Sequence, residues 1–201
     1  MSKYKDRIKE LPRVTLDAIS EVCRGMLPSE YRSRPWDLPY GDKNFAKIFD
    51  QEDQLNGYAA AYTNWHKGKL RIAFDHMPTD TFVGEIAVID WACGQGLATI
   101  FLHEYLEEKG YNCRIKEVIL IEPSEKALDR AKFIIEAIDS KIKVSTVNKK
   151  LDEVIDFDIK LFEKRNPRLP QDQVFVQRMQ KDVHFAAQRG DGRKIADALS
   201  G

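Results

Sequence analysis

The stretch Glu85-Ile86-Ala87-Val88-Ile89-Asp90-Trp91-Ala92-Cys93-Gly94-Gln95-Gly96 decides the fold of this chain. Its first seven residues form a short, largely apolar run, as a strand buried on both faces of a parallel sheet requires. The run ends in an acidic residue, Asp90, and then in two glycines. Glycine lets a backbone turn sharply and come close to a ligand with no side chain in the way. A helical pattern follows over residues 97–109, with Gly110 as its natural C-cap. A helix starting at that point aims its free N–H groups and positive dipole end at whatever lies beyond the strand. The carboxyl end of the first strand in such a sheet is where ligands bind.

The downstream sequence repeats the alternation. Glu117-Val118-Ile119-Leu120-Ile121 reads as a second buried strand, and Ser124 as the N-cap of a helix over residues 125–138, with Leu128, Ala131, Ile134 and Ile135 facing inward. Residues 141–147 alternate polar and apolar as a third strand. Strand-helix-strand-helix-strand with short connections predicts an α/β fold with a doubly wound, mainly parallel sheet.

Upstream, residues 1–80 read as a helical N-terminal extension or cap. Residues 14–26 place Val14, Leu16, Ile19, Val22, Cys23 and Met26 on one helix face, and Ser29 reads as the N-cap of a short next element. Residues 31–43 read as an ordered loop, because Trp36 and Tyr40 favour burial. Residues 44–66 turn helical again, Gly68 predicts a break, residues 70–77 add a turn or two, and Pro78 closes the segment. Residues 81–201 would form the second unit, with an incomplete C-terminal third: Phe157-Asp158-Ile159-Lys160-Leu161-Phe162 is a candidate fourth strand, Val174-Phe175-Val176 a weaker one, and residues 190–192 a turn before a last helix over 193–199.

Two nucleotide-binding patterns use a glycine loop after a first strand. A nicotinamide-binding fold calls for G-x-G-x-x-G or A, and the third position here is Thr99. The run Val88-Ile89-Asp90-Trp91-Ala92-Cys93-Gly94-Gln95-Gly96 instead resembles motif I of the class I S-adenosylmethionine-dependent methyltransferases, apolar-apolar-acidic-x-x-x-Gly-x-Gly. The resemblance covers residues 84–150 and implies a Rossmann-like fold with S-adenosylmethionine as cofactor. It places Asp90, Ala92, Cys93, Gly94, Gln95 and Gly96 at the cofactor. The second strand ends Glu122-Pro123, and in this family the acidic residue there accepts hydrogen bonds from both ribose hydroxyls, which a carboxylate's two oxygens allow. Asn148, after the third strand, would lie beside the adenine. Asn166-Pro167-Arg168-Leu169-Pro170 resembles, incompletely, the Asn-Pro-Pro-aromatic motif of amino-methylating enzymes, lacking the second proline and the aromatic.

The bulk composition limits partners. The chain has 201 residues, with 32 basic and 32 acidic side chains, so no global field draws in nucleic acid or an anionic membrane. No apolar run approaches the roughly 20 residues that span a bilayer, and the charged N-terminus lacks the core of a secretory signal. Cys23, Cys93 and Cys113 are widely separated, which argues against a disulfide framework and for a reduced, cytoplasmic compartment. His76 and His184 have no partners at metal-ligand spacing, so no metal site is expected, and His103 reads as a surface or helix-packing residue. Cys93 reads as a small apolar loop residue rather than a reactive thiol. Tyr62, His66 and Lys69 are either pocket-lining or, more simply, a helix C-terminus, where His and Lys suit the dipole. The cluster Lys164, Arg165 and Arg168 reads as a solvated face.

A methyltransferase acting on an unidentified small molecule, protein or RNA is thus the leading expectation, with no catalytic residue assignable. The alternatives are a non-catalytic methyltransferase-like module that binds cofactor or a partner, a fragment of a larger methyltransferase, and, furthest from the pattern, a nicotinamide oxidoreductase. The oligomeric state is not legible in the sequence.

Overall fold

The structure, a computed structural model, describes residues 3–38, 48–150 and 153–154. Their elements run α1 (Lys3–Lys9), α2 (Leu16–Met26), two short 3-10 turns, α3 (Glu52–Asp75), a third 3-10 turn (Thr79–Phe82), β1 (Gly84–Trp91), α4 (Leu97–Lys109), β2 (Cys113–Ile121), α5 (Glu125–Ile138) and β3 (Lys143–Val147). The strands form a three-stranded parallel sheet in the order β1-β2-β3. The fold of the described residues is α/β and compatible with a Rossmann-like core.

Crossovers of one hand between neighbouring strands put both connecting helices on one face of the sheet. Ile86, Val88, Val118 and Leu120 accordingly join a single core with Ile100 and Leu102 of α4 and Leu128, Ala131 and Ile134 of α5. The alternate residues, Ala87, Ile89 and Ile121 with Trp91, Ile119 and Val147, make a separate cluster on the other face. Val154 is the one member of that cluster from outside the strands among the described residues. The first core does not stop at the sheet. Tyr4, Ile8, Leu16, Ile19, Cys23, Ala59 and Phe74 belong to it, so apolar packing is continuous from α1 to β3.

Local chemistry sets several element ends. Thr15 caps α2 by accepting from the Ala18 N–H at 3.2 Å, and Ser124 caps α5 by accepting from Ala127 at 3.1 Å. Gly110, at φ 66°, ends α4 and donates back to Glu107.

Five expectations need correction. Gly68 does not break a helix, because α3 runs unbroken from Glu52 to Asp75. A glycine costs a helix about 1 kcal/mol, and tertiary anchors on either side outweigh it: Lys67 pairs with Asp17 at 2.7 Å, Arg71 with Glu108 at 2.6 Å, and Leu70 and Phe74 are buried. Trp36 is 55% exposed rather than buried. Ser29 caps nothing; its hydroxyl meets Glu30, and the 3-10 turn there begins behind Pro28. Strand β2 starts at Cys113, well before Glu117, and its register with β1 shifts at Ile86/Ala87 so that Lys116 is the extra residue. That bulge leaves Lys116 free to pair with Glu85 at 2.9 Å, while Glu117 is buried against Lys143 at 3.0 Å. The third strand begins at Lys143, because Ile142 donates to Asp139 in a turn instead.

Among the described residues, no helix is long and apolar enough to cross a membrane. Tyr40, the first part of the expected helix over 44–66, and every feature expected beyond Val154 lie outside the described residues.

Candidate functional site

Because β1 and β2 are parallel, with Trp91 opposite Ile121, their carboxyl ends open at one sheet edge. The loop from β1 to α4 is fixed there by its own hydrogen bonds. Cys93 N–H donates to Ile121 O at 3.1 Å, carrying the sheet ladder one step further, and Gly96 N–H donates to Cys93 O at 2.8 Å. Three residues of this loop sit at positive φ: Ala92 at 51°, Gly94 at 52° and Gly96 at 76°.

The two glycines serve different ends. A Cβ on Gly96 would come within 3.1 Å of Ala131 Cβ on α5, so Gly96 permits close packing of the loop against that helix. A Cβ on Gly94 would meet nothing within 4 Å, so the space bared at Gly94 is open to a ligand. Ala92 is exposed and takes the left-handed conformation without a glycine's freedom, so the loop holds local backbone strain.

Asp90 is 0% exposed. Its Oδ2 accepts from Thr99 Oγ1 of α4 at 2.7 Å, and its Oδ1 has no hydrogen-bond partner among the described residues. Burial pushes its carboxyl up to about 6, with the Glu122 charge adding to the rise and Thr99 opposing it. Glu122 projects from the end of β2 to the loop: Oε2 accepts from Gly94 N–H and Oε1 from Ser124 N–H, each at 3.1 Å. Burial raises its carboxyl too, against those two backbone donors.

The remaining sequence-assigned residues fall around this pair. Pro123 and Glu122 offer their carbonyls to the Asn148 side-chain amide at 2.8 and 3.1 Å, which ties the end of β3 to the end of β2 and puts exposed Asn148 at the same edge. Cys93 is buried; burial and then the Asp90 and Glu122 charges hold its thiol well above the usual range, so it is not a ready nucleophile. The Gln95 side chain is committed inward, donating to Leu55 O at 2.9 Å and accepting from Arg130 at 3.0 Å, which leaves the backbone of Gln95 at the loop.

Sequence reasoning missed Arg130. This buried arginine on α5 binds Gln95, Asn56 at 2.9 Å and Glu52, and its guanidinium lies 3.9 Å from the centre of the Tyr4 ring. It thereby clamps α1, α3, α5 and the glycine loop together. The signal was present: Arg130 falls on the inner face of α5 between Ala127 and Ile134, where a charge demands partners. Also missed was Phe49, whose carbonyl accepts from Ser124 Oγ at 2.7 Å, so the entry to α3 crosses the β2–α5 turn.

His66 is not at a helix C-terminus; it lies inside α3, with Nε2 2.7 Å from the Tyr58 hydroxyl. Tyr58 packs near Phe49 and Tyr62, at 5.7 and 5.2 Å between ring centres, and feels the Glu122 charge, so these rings border the site. Lys69 caps the exposed Trp65 ring at 3.2 Å instead. Among the described residues, no cluster of His, Cys, Asp and Glu has the makings of a metal site. No protein-family model matches this chain, and no curated protein matches it.

Proposed function

We propose that this chain is an S-adenosylmethionine-dependent methyltransferase whose cofactor binds over Gly94 and against Glu122. The observation carrying the reading is the Glu122 carboxylate hydrogen-bonded to the Gly94 N–H, with a second carboxylate, Asp90, beneath the same loop. A pyrophosphate lying on the loop would face the Asp90 carboxylate beneath it. Like unit charges roughly 5 Å apart at an effective dielectric near 20 repel by about 3 kcal/mol, which disfavours a dinucleotide. S-adenosylmethionine carries no phosphate, and its ribose diol offers two donors to a carboxylate.

The residues present fit such a ligand. Gly94 bares open space, and Asp90 Oδ1 is a buried acceptor still without a hydrogen-bond partner among the described residues. Glu122 would hold the ribose and the Gly94–Gly96 backbone the methionyl end, with Asn148 and Pro123 bordering the base. The bound cofactor would supply an electrophilic methyl group. The chain's own contribution is to fix it in one orientation, and alignment of this kind accounts for much of the rate in bimolecular transfers.

Incubating the protein with methyl-labelled S-adenosylmethionine and cell extract tests the activity. Label transferred to an acceptor, lost in Gly94→Ala, supports an enzyme. Cofactor binding with no transfer to any extract fraction would leave the non-catalytic module as the better reading.

A further inference from the structure

We propose that α1 is a latch on the β1–α4 loop: its docking holds Arg130 in place, Arg130 holds Gln95, and lifting α1 therefore loosens the loop. This goes beyond the methyltransferase reading and applies to whatever ligand the loop takes. Its basis is that two elements share one turn of α5. The loop lies on that turn through Gln95, which accepts from Arg130 at 3.0 Å, and through Gly96, which packs on Ala131. Helix α1 grips the same turn. Lys5 pairs with Asp129 at 2.7 Å, the Tyr4 ring lies 3.9 Å from the Arg130 guanidinium, and Lys5 and Lys9 lie over the Phe133 ring.

Arg130 is the part the two elements have in common. Its edge binds Gln95, Asn56 and Glu52, and the Tyr4 ring covers its face. With the ring gone, water reaches the guanidinium and competes for those bonds. The Gln95 side chain is then left with its bond to the Leu55 carbonyl at 2.9 Å. Helix α1 has 7 residues, too few to hold as an isolated helix in water. Its order comes from docking, with Tyr4 and Ile8 buried as it packs on α2 and α5. Local opening of such an element costs less than global unfolding. Coupling of this kind is reciprocal. A ligand that orders the loop favours docked α1, and a partner that takes up Tyr4 and Ile8 weakens binding at the loop.

Two buried thiols report on the two ends of this chain of contacts. Cys23 of α2 is 0% exposed and lies against Tyr4, and Cys93 lies in the loop. Burial pushes the Cys23 thiol up to about 12 and Cys93 well above the usual range, so each stays unreactive while it is covered. Maleimide labelling of the full chain without ligand, read residue by residue by peptide mass spectrometry, tests the proposal. We expect Tyr4→Ala to raise the labelling rate at both Cys23 and Cys93 by roughly tenfold or more. In a Gln95→Ala background the Tyr4 change should still raise Cys23 and leave Cys93 unmoved, because the link is cut. Should Tyr4→Ala fail to fold, Lys5→Ala, which removes one ion pair at the edge of α1, should raise both rates together by roughly two- to threefold. Cys93 labelling that stays level in these variants, or that rises equally with Gln95 replaced, overturns the proposal. No nucleoside enters the experiment, so its failure leaves the methyltransferase reading untouched.

Discussion

The two ends of α4 are built on opposite rules. From its second turn to its C-terminal end the contacts are closed: Phe74 stacks on Phe101 with ring centres 5.9 Å apart, the Tyr105 hydroxyl donates to Asp75, which also pairs with Lys109, Phe82 meets Tyr111 at 5.1 Å, and Gly110 caps the helix. At the turn entering its N-terminal end lie a non-glycine residue at positive φ and a buried carboxylate oxygen with no hydrogen-bond partner among the described residues. Strain and unmet polar groups persist only where surrounding structure imposes them, and they gather where ligands act. One end of α4 stabilises the fold, and the other is held ready by it.

The largest test of this division is to remove a side chain from the satisfied end. Phe101→Ala should cost about 3–5 kcal/mol in urea unfolding yet leave ligand affinity per folded molecule unchanged. Arg130→Ala, which strands Glu52, Asn56 and Gln95, should cost a similar ~3–5 kcal/mol and weaken binding as well, because Gln95 anchors the loop. Affinity surviving that change at the wild-type level would show that the loop does not depend on the clamp.

Gly94→Ala should do the reverse of Phe101→Ala. A side chain at φ 52° costs roughly 1–2 kcal/mol of stability, but the methyl group would occupy the space open above the loop, so ligand binding should be lost outright.

The pH dependence of stability is a smaller effect with a definite sign. Asp90 titrates near 6 in the folded chain against 3.8 for the ordinary group. The folded state therefore binds the proton more tightly, and this group's contribution to stability falls as pH rises through that window. Between about pH 7 and about pH 5 the protein should gain roughly 1 kcal/mol from this group, with Glu122 acting in the same direction. A series of urea midpoints should show the slope, and Asp90→Asn should flatten most of it. Stability that rises with pH across this range would contradict the burial of a charged Asp90.

The smallest effect is at Ala92. Glycine there relieves a left-handed backbone worth roughly 1–2 kcal/mol but adds about 0.5–1 kcal/mol of unfolded-state entropy. The variant should be more stable by no more than ~1.5 kcal/mol, and a measurable loss on thermal unfolding would mean that Ala92 is not strained.

What was legible in the sequence was local. The apolar run into Asp90, the paired glycines, the Ser124 cap and the Gly110 stop are all read within a few residues, and β1, α4 and α5 follow from them. So does the meeting of Glu122 with the glycine loop, once a parallel sheet is assumed. The misreadings came where distant partners decide. Gly68 stays helical because Lys67 and Arg71 reach α2 and α4, and Arg130 is explained only by residues on α3 and the loop. Lys116 and Glu117 hid the start of β2 because their charges are answered across the sheet, by Glu85 and Lys143. The inward turn of Gln95 toward Leu55 belongs to the same class.

On the proposed reading, Glu122 and the glycine loop together hold a sulfur nucleoside. The most direct measurement is a calorimetric titration of the wild type and Glu122→Ala with S-adenosylmethionine, S-adenosylhomocysteine and NADH. The expected result is that the wild type binds the sulfonium, with NADH silent, and that Glu122→Ala weakens sulfonium affinity by tenfold or more, about 1.4 kcal/mol. Silence from both sulfur nucleosides, or binding undiminished in Glu122→Ala, would contradict the account.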